Sequence, residues 1–158
     1  MAENKQQHYL ELAQQVEAIV AGERDLVANM ANISAILYWA LANVNWAGFY
    51  LINGEQLVLG PFHGQPACIR IPIGKGVCGT AVSENSIQII DDVHQFSGHI
   101  SCDAASNSEI VLPIRKNNQI IAVLDIDSPN IARFDHEDKF GLCRIVDILQ
   151  ASLYDSDK

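Results

Sequence analysis

Apolar residues return at intervals of three and four early in the chain and at closer spacing afterwards, so the sequence opens in helices and continues mostly in strands. Leu12, Val16, Ile19 and Val20 form one helical stripe, stopped by Gly22. Leu26, Met30, Ile33 and Leu37 form a second behind Asp25, a good N-cap. Both stripes are predicted to cover one face of a sheet; pairing between two copies of the chain is the other use of such stripes. The stretch 45–52, rich in aromatic and branched residues, meets a turn at Asn53-Gly54 and returns through 56–59, which predicts a hairpin. Neither face of its first strand is polar, so that strand is predicted to be central. Trp46, Gly48 and Tyr50 share one face, an apolar wall with a gap in its middle. Core packing and a pocket wall both fit that pattern.

From Gly60 to Cys78 the pattern breaks into a glycine-rich, loop-like stretch, followed by a short helix over 76–83 and a short strand over 87–90. A second hairpin is predicted from 110–114, a polar turn at 116–119 and 120–127. Asp125 and Asp127 lie two apart and point to one face of an otherwise apolar strand. Either the strand ends there and both reach water, or they form a pair that awaits a cation or shares a proton. Asp135 caps a last helix whose buried stripe is Leu142, Ile145, Val146, Leu149 and Leu153, with Cys143 beside it as a core residue. This order of elements predicts an α+β domain, an antiparallel sheet with helices packed on it, filling 1–158 as one unit.

Charge narrows the partners. Nineteen acidic against ten basic side chains give a formal charge of −9 with no basic run, which argues against nucleic acid. No apolar stretch reaches the length of a membrane span and the start is polar, so no membrane association and a cytoplasmic location are expected. In a reducing compartment the four cysteines, 68, 78, 102 and 143, are buried, metal-binding or redox-active rather than permanently bridged. Gly74-Lys75-Gly76 lacks the remainder of a phosphate loop.

Cys102 sits in Ser-Cys-Asp-Ala-Ala-Ser-Asn-Ser, a poor helix or strand former, directly before the apolar run at 110–114. A thiol on such a loop meets solvent and backbone N–H donors, which favour a reactive thiolate; a small buried hydrophobe is the alternative. Cys68, Cys78, Cys102, His63, His94 and His99 offer zinc ligands, but their spacing matches no compact zinc knuckle, and no metal is expected. Small-ligand sensing would need the pocket and no thiol. Thiol redox catalysis, in which one cysteine becomes a sulfenic acid and a second condenses with it, is the mechanism that uses several cysteines together.

The segments 60–68 (Gly-Pro-Phe-His-Gly-Gln-Pro-Ala-Cys), 74–79 (Gly-Lys-Gly-Val-Cys-Gly), 98–103 (Gly-His-Ile-Ser-Cys-Asp), 108–111 (Ser-Glu-Ile-Val) and 124–129 (Leu-Asp-Ile-Asp-Ser-Pro) together closely resemble the free methionine-(R)-sulfoxide reductases, a GAF-domain family. The resemblance runs along nearly the whole chain. It implies the GAF fold, a six-stranded antiparallel sheet with helices, and reduction of free methionine (R)-sulfoxide without a cofactor, the reducing equivalents coming from thioredoxin. By the same resemblance Cys102 matches the catalytic cysteine, Cys68 the resolving one and Cys78 a third with a less settled part. Trp46 and Tyr50 match pocket-wall residues, and Glu109, Asp125 and Asp127 match acidic groups that hold the substrate. Ser97 departs from the family's more usual proline. In this reading Glu109 or Asp127 keeps a proton for the sulfoxide oxygen, Asp125 faces the ammonium, and backbone N–H groups around Ser101 and Cys102 take the carboxylate. A homodimer is a further expectation. The competing reading is a non-catalytic GAF sensor for a small metabolite, which would need a separate signalling partner.

Overall fold

The computed structural model describes residues 4–100, 102 and 105–154. Its centre is a six-stranded antiparallel sheet in the order β3-β2-β1-β6-β5-β4, built from β1 (Trp46–Asn53), β2 (Gln56–Gly64), β3 (Arg70–Pro72), β4 (Gln88–Ile90), β5 (Ser108–Lys116) and β6 (Gln119–Ser128). The helices are α1 (Lys5–Val20), α2 (Leu26–Ala40), α3 (Gly76–Ser83) and α4 (His136–Ser152), with a 3-10 turn at Val93–Gln95.

Local chemistry explains where these elements begin and end. The Asp25 carboxylate accepts from the Ala28 N–H at 2.8 Å and caps α2, and Asp135 and Asp138 form a capping box at the start of α4. Asn117 and Asn118 both take positive φ, the left-handed pair that a two-residue turn between Lys116 and Gln119 requires. Because the two strands joined there alternate strictly, residues 110, 112, 114, 122, 124 and 126 all face one side.

On that side they join Ala47 and Phe49 of β1 and pack against Met30, Ile33 and Leu37 of α2 and Leu142, Ile145 and Leu149 of α4 in a dry apolar core. Each fully buried aliphatic side chain there contributes about 1.5–3 kcal/mol. Helix α1 packs chiefly on α4 and α2 rather than on the sheet. Gly141 makes that close approach possible, since a Cβ there would lie 2.1 Å from the Tyr9 ring. The seam also holds Asp138, which is 1% exposed and accepts from the Tyr9 hydroxyl at 2.8 Å, Lys5 at 2.8 Å and Arg133 at 3.2 Å, so its charge is paired.

Four expectations change. Ile19 is 43% exposed and stands outside the α1 stripe. Leu153 and Cys143 are half-buried at the margin rather than in the core. The stretch after Leu59 is not a loop: β2 continues to Gly64 and β3 pairs with it. The cause is a bulge, because Gly48 pairs with Phe62 while Tyr50 pairs with Leu59, so Gly60 and Pro61 insert an extra residue and reverse the alternation along β2. The gap at Gly48 is also closed: a Cβ there would lie 2.2 Å from the Phe62 Cβ, and Phe62 stacks on Trp46 with ring centroids 5.1 Å apart.

Candidate active site

The other face of the sheet carries the residues that alternate with the apolar core. Trp46 of β1 pairs with Asp127 of β6, and Asp127 pairs with Glu109 of β5, so three adjacent strands place these side chains on one rung. One rung further, Gly48, Asp125 and Val111 are aligned in the same way. Helix α3 lies across this face and brings Cys78 down on the carboxyls, with its sulfur 4.0 Å from Glu109 Oε2. A pocket forms between them, lined by Trp46, Tyr50, Cys78, Cys102 and the three acidic side chains.

The loops over the pocket carry Cys68 and Cys102. Cys68 and Cys102 are joined in a disulfide with Cα atoms 5.4 Å apart, and Cys78 and Cys143 are free thiols. Ala67, next to Cys68, lines the pocket together with Cys102, so the disulfide joins two loops of its wall. The Cys102 loop is anchored at its far end by the Asn107 N–H, which donates to Ser128 O at 2.7 Å, and at its near side by the Val93 N–H, which donates to Asn107 O at 2.9 Å.

Burial dominates the electrostatics. Glu109 is held well above the usual carboxylate range, first by burial and then by the neighbouring Asp125 and Asp127. Asp127 is likewise raised by burial and by Asp125, although Ser106 donates to its Oδ2 at 3.3 Å. Asp125 is also raised by burial, but hydrogen bonds from Glu109, Asp127 and Cys78 favour its charged form. Burial and mutual repulsion thus favour the protonated form most at Glu109 and Asp127, while the hydrogen bonds at Asp125 oppose that push. The Cys78 thiol is pushed up by burial and by all three acids, which leaves it protonated and a poor nucleophile. Cys78, Glu109 and Asp125 each bring one ligand atom within 4.8 Å of the others, close enough for a divalent cation, at the cost of the protons that burial keeps on Glu109 and Cys78.

The structure thus brings together Cys68, Cys78, Cys102, Trp46, Tyr50, Glu109, Asp125 and Asp127. Asp125 and Asp127 do not mark a strand running out into water: Asp125 is 5% exposed, and the Oδ1 atoms of both are buried. Ser101 lies outside the described residues. His63 sits against Tyr38, away from the site, and His94 meets Asn107, whereas His99 lines the pocket. Burial and His94 lower the pKa of His99, against an opposing pull from Asp125. The role of Ser106, which bridges Asn45 and Asp127, was not visible in the sequence beyond its place in the polar run before β5.

The chain matches the GAF domain family over residues 25–152. It is 55% identical over 154 residues to the free methionine-R-sulfoxide reductase of Escherichia coli, a match covering 98% of this chain and 93% of that protein. The Staphylococcus aureus enzyme in complex with substrate superposes with a TM-score of 0.88 at 52% identity, covering 92% of this chain and 95% of the other. The Neisseria meningitidis free methionine-R-sulfoxide reductase, also in complex with its substrate, superposes with a TM-score of 0.92 at 41% identity, covering 97% of this chain and 92% of the other. With the sheet, the paired cysteines and these likenesses in agreement, the chain belongs to the free methionine-(R)-sulfoxide reductases of the GAF-domain family.

Proposed function

We propose that this chain reduces free L-methionine (R)-sulfoxide to methionine, with Cys102 as nucleophile, Cys68 as resolving cysteine and thioredoxin as reductant. The observation that carries the reading is a Cys68–Cys102 disulfide beside three clustered carboxyls, of which Glu109 and Asp127 are pushed well above the usual carboxylate range. A sulfoxide sulfur accepts a thiolate only as its oxygen is protonated, and Glu109 and Asp127 are the acids placed to do so. The Cys102 thiolate attacks sulfur, the oxygen passes to Cys102 as a sulfenic acid and methionine departs. Cys68 then displaces that oxygen as water, forming the disulfide, and a thioredoxin dithiol reopens it by exchange.

Asp125, whose hydrogen bonds favour its charged form, attracts the substrate ammonium, and Trp46 offers a flat apolar surface to the S-methyl group. Recognition of the ammonium, together with the carboxylate at backbone N–H groups near Ser101, excludes methionine within a peptide chain. Cys78 stays a thiol and packs on the acids from α3. No metal or cofactor enters this cycle. Two free thiols, and among the described residues no helix long and apolar enough to cross a membrane, fit work in the reducing cytoplasm. A homodimer is part of the same reading, resting on the apolar side chains that α2 and α4 leave exposed, Trp39 and Phe140 foremost; sedimentation tests it.

The deciding assay follows NADPH consumption with thioredoxin and thioredoxin reductase on free L-methionine (R)-sulfoxide, the (S) epimer and a peptide-bound sulfoxide. Turnover of the free (R) form alone is expected. No turnover of any form by the reduced protein overturns the enzyme reading in favour of a metabolite sensor.

A further inference from the structure

Trp46 and Tyr50 line the pocket with their rings, yet each directs its polar atom to the loop that carries Cys68. The Tyr50 hydroxyl donates to the Cys68 carbonyl at 2.9 Å, and the Trp46 ring N–H donates to the Gln65 carbonyl at 3.0 Å. The two rings stack on each other with centroids 6.0 Å apart, and both residues are only 2% exposed on β1, a strand paired on both sides. The donors are therefore fixed by the sheet. The loop is fixed at its other end as well, where the Leu59 N–H donates to the Ile69 carbonyl at 2.8 Å. Burial and the nearby Asp125 push the Tyr50 phenol far above its usual pKa, so its proton stays in place for donation.

We propose that Tyr50, with Trp46 assisting, is a positioning residue for the resolving step: the two bonds hold the Cys68 backbone where its thiol meets the Cys102 sulfenic acid. The inference rests on the cycle above. In that step the Cys68 sulfur bonds to the Cys102 sulfur, the S–O bond breaks, and the oxygen leaves as water with the thiol's proton. The oxidising equivalents are those already taken from the sulfoxide. A disulfide needs its Cα atoms within a narrow range, met here at 5.4 Å, so a wandering loop would spend little time in a competent geometry. Ala67 of the same loop also lines the pocket, which places the held segment directly over the reacting groups.

The test compares two rates in the reduced full-length protein during a single turnover: methionine formation and disulfide formation, with dimedone trapping the Cys102 sulfenic acid. Tyr50→Phe keeps the ring and removes the donor. It is expected to lower the ratio of disulfide formation to methionine formation by about tenfold, from loss of a buried hydrogen bond, and to accumulate the dimedone adduct. In multiple-turnover assays, high dithiothreitol, which reduces the sulfenic acid without Cys68, should narrow the gap in methionine formation between Tyr50→Phe and wild type. Trp46→Phe should lower the ratio in the same direction by less, and decides the matter if Tyr50→Phe does not fold. An unchanged ratio, or two rates that fall together, overturns the inference and leaves Tyr50 as wall alone. Absence of methionine and adduct in the wild type overturns the underlying cycle, and this step with it.

Discussion

The two faces of the sheet are made from the same strands and share no chemistry. On β5 and β6 residues 110, 112, 114, 122, 124 and 126 enter an apolar core under α2 and α4, while Glu109, Asp125 and Asp127 face α3 and the cysteine loops. The helical face stabilises the domain through buried area. The opposite face holds three carboxyls and a thiol out of water, where each is penalised by burial, and it draws its cover from a short helix and two loops. Stability and reactivity are thus separated by a single step along the strand, and a substitution should disturb one with little effect on the other.

Removing a sulfur on the loop side should have the largest effect. Cys102→Ser is expected to abolish even the first turnover, a loss of roughly a thousandfold or more, whereas Cys68→Ser should release one equivalent of methionine and then stall with thioredoxin. Methionine formed by the serine variant at 102 would move the nucleophile elsewhere. Paired substitutions on the two faces of β6 sharpen the contrast. Leu124→Ala should lower unfolding free energy by about 3 kcal/mol and leave kcat/KM of the folded fraction unchanged. Asp127→Asn should lower kcat/KM by about a hundredfold without lowering the denaturation midpoint. If both variants lose stability alike, the two faces are not independent.

The pH dependence of stability should have opposite signs on the two sides. Glu109 is raised in the folded state, so its contribution is fully present below the unfolded value of about 4.3 and is lost as pH rises through the folded value. Glu109→Gln should therefore gain on the wild type as pH increases, read as a growing difference in Tm. For Asp135, at the start of α4, burial opposes ionisation, but Lys5 and the Asp138 backbone bring its pKa down to about 2. Its contribution is present above about 3.9 and is lost as pH falls through about 2. Asp135→Ala is the smallest effect, about 1 kcal/mol for a lost cap, measured by denaturation near neutrality. A Glu109→Gln variant that loses on the wild type with rising pH would mean the carboxyl is charged and paired in the fold.

Much of this was legible in the residues themselves. Asp25 and Asp135 mark helix starts by what a carboxylate does for free N–H groups, and alternation over 110–114 and 122–126 states which side chains enter the core. Trp46 and Tyr50 could be placed on one face, but core packing was the favoured reading over a pocket wall because periodicity does not say what covers a face. The extension of β2 was hidden by Gly60-Pro61, since a bulge breaks the period of two that reveals a strand. Asp125 and Asp127 were ambiguous for a related reason: two acids near a strand end look alike whether water or a neighbouring strand lies beyond them. The Cys68–Cys102 pairing came from family resemblance, because the two lie far apart along the chain and only the folded loops bring them together.

The alternation on β6 also constrains how the chain can misfold. A slip of one residue against β5 or β1 would turn Asp125 and Asp127 into the dry helical core and bring Leu124 and Ile126 out beneath α3. Burying two carboxyls where no partner exists is far more costly than losing a few apolar contacts. The acids that face the pocket thereby proofread strand alignment in the two strand pairs made by β6, which otherwise present nearly interchangeable rows of Ile, Val and Leu.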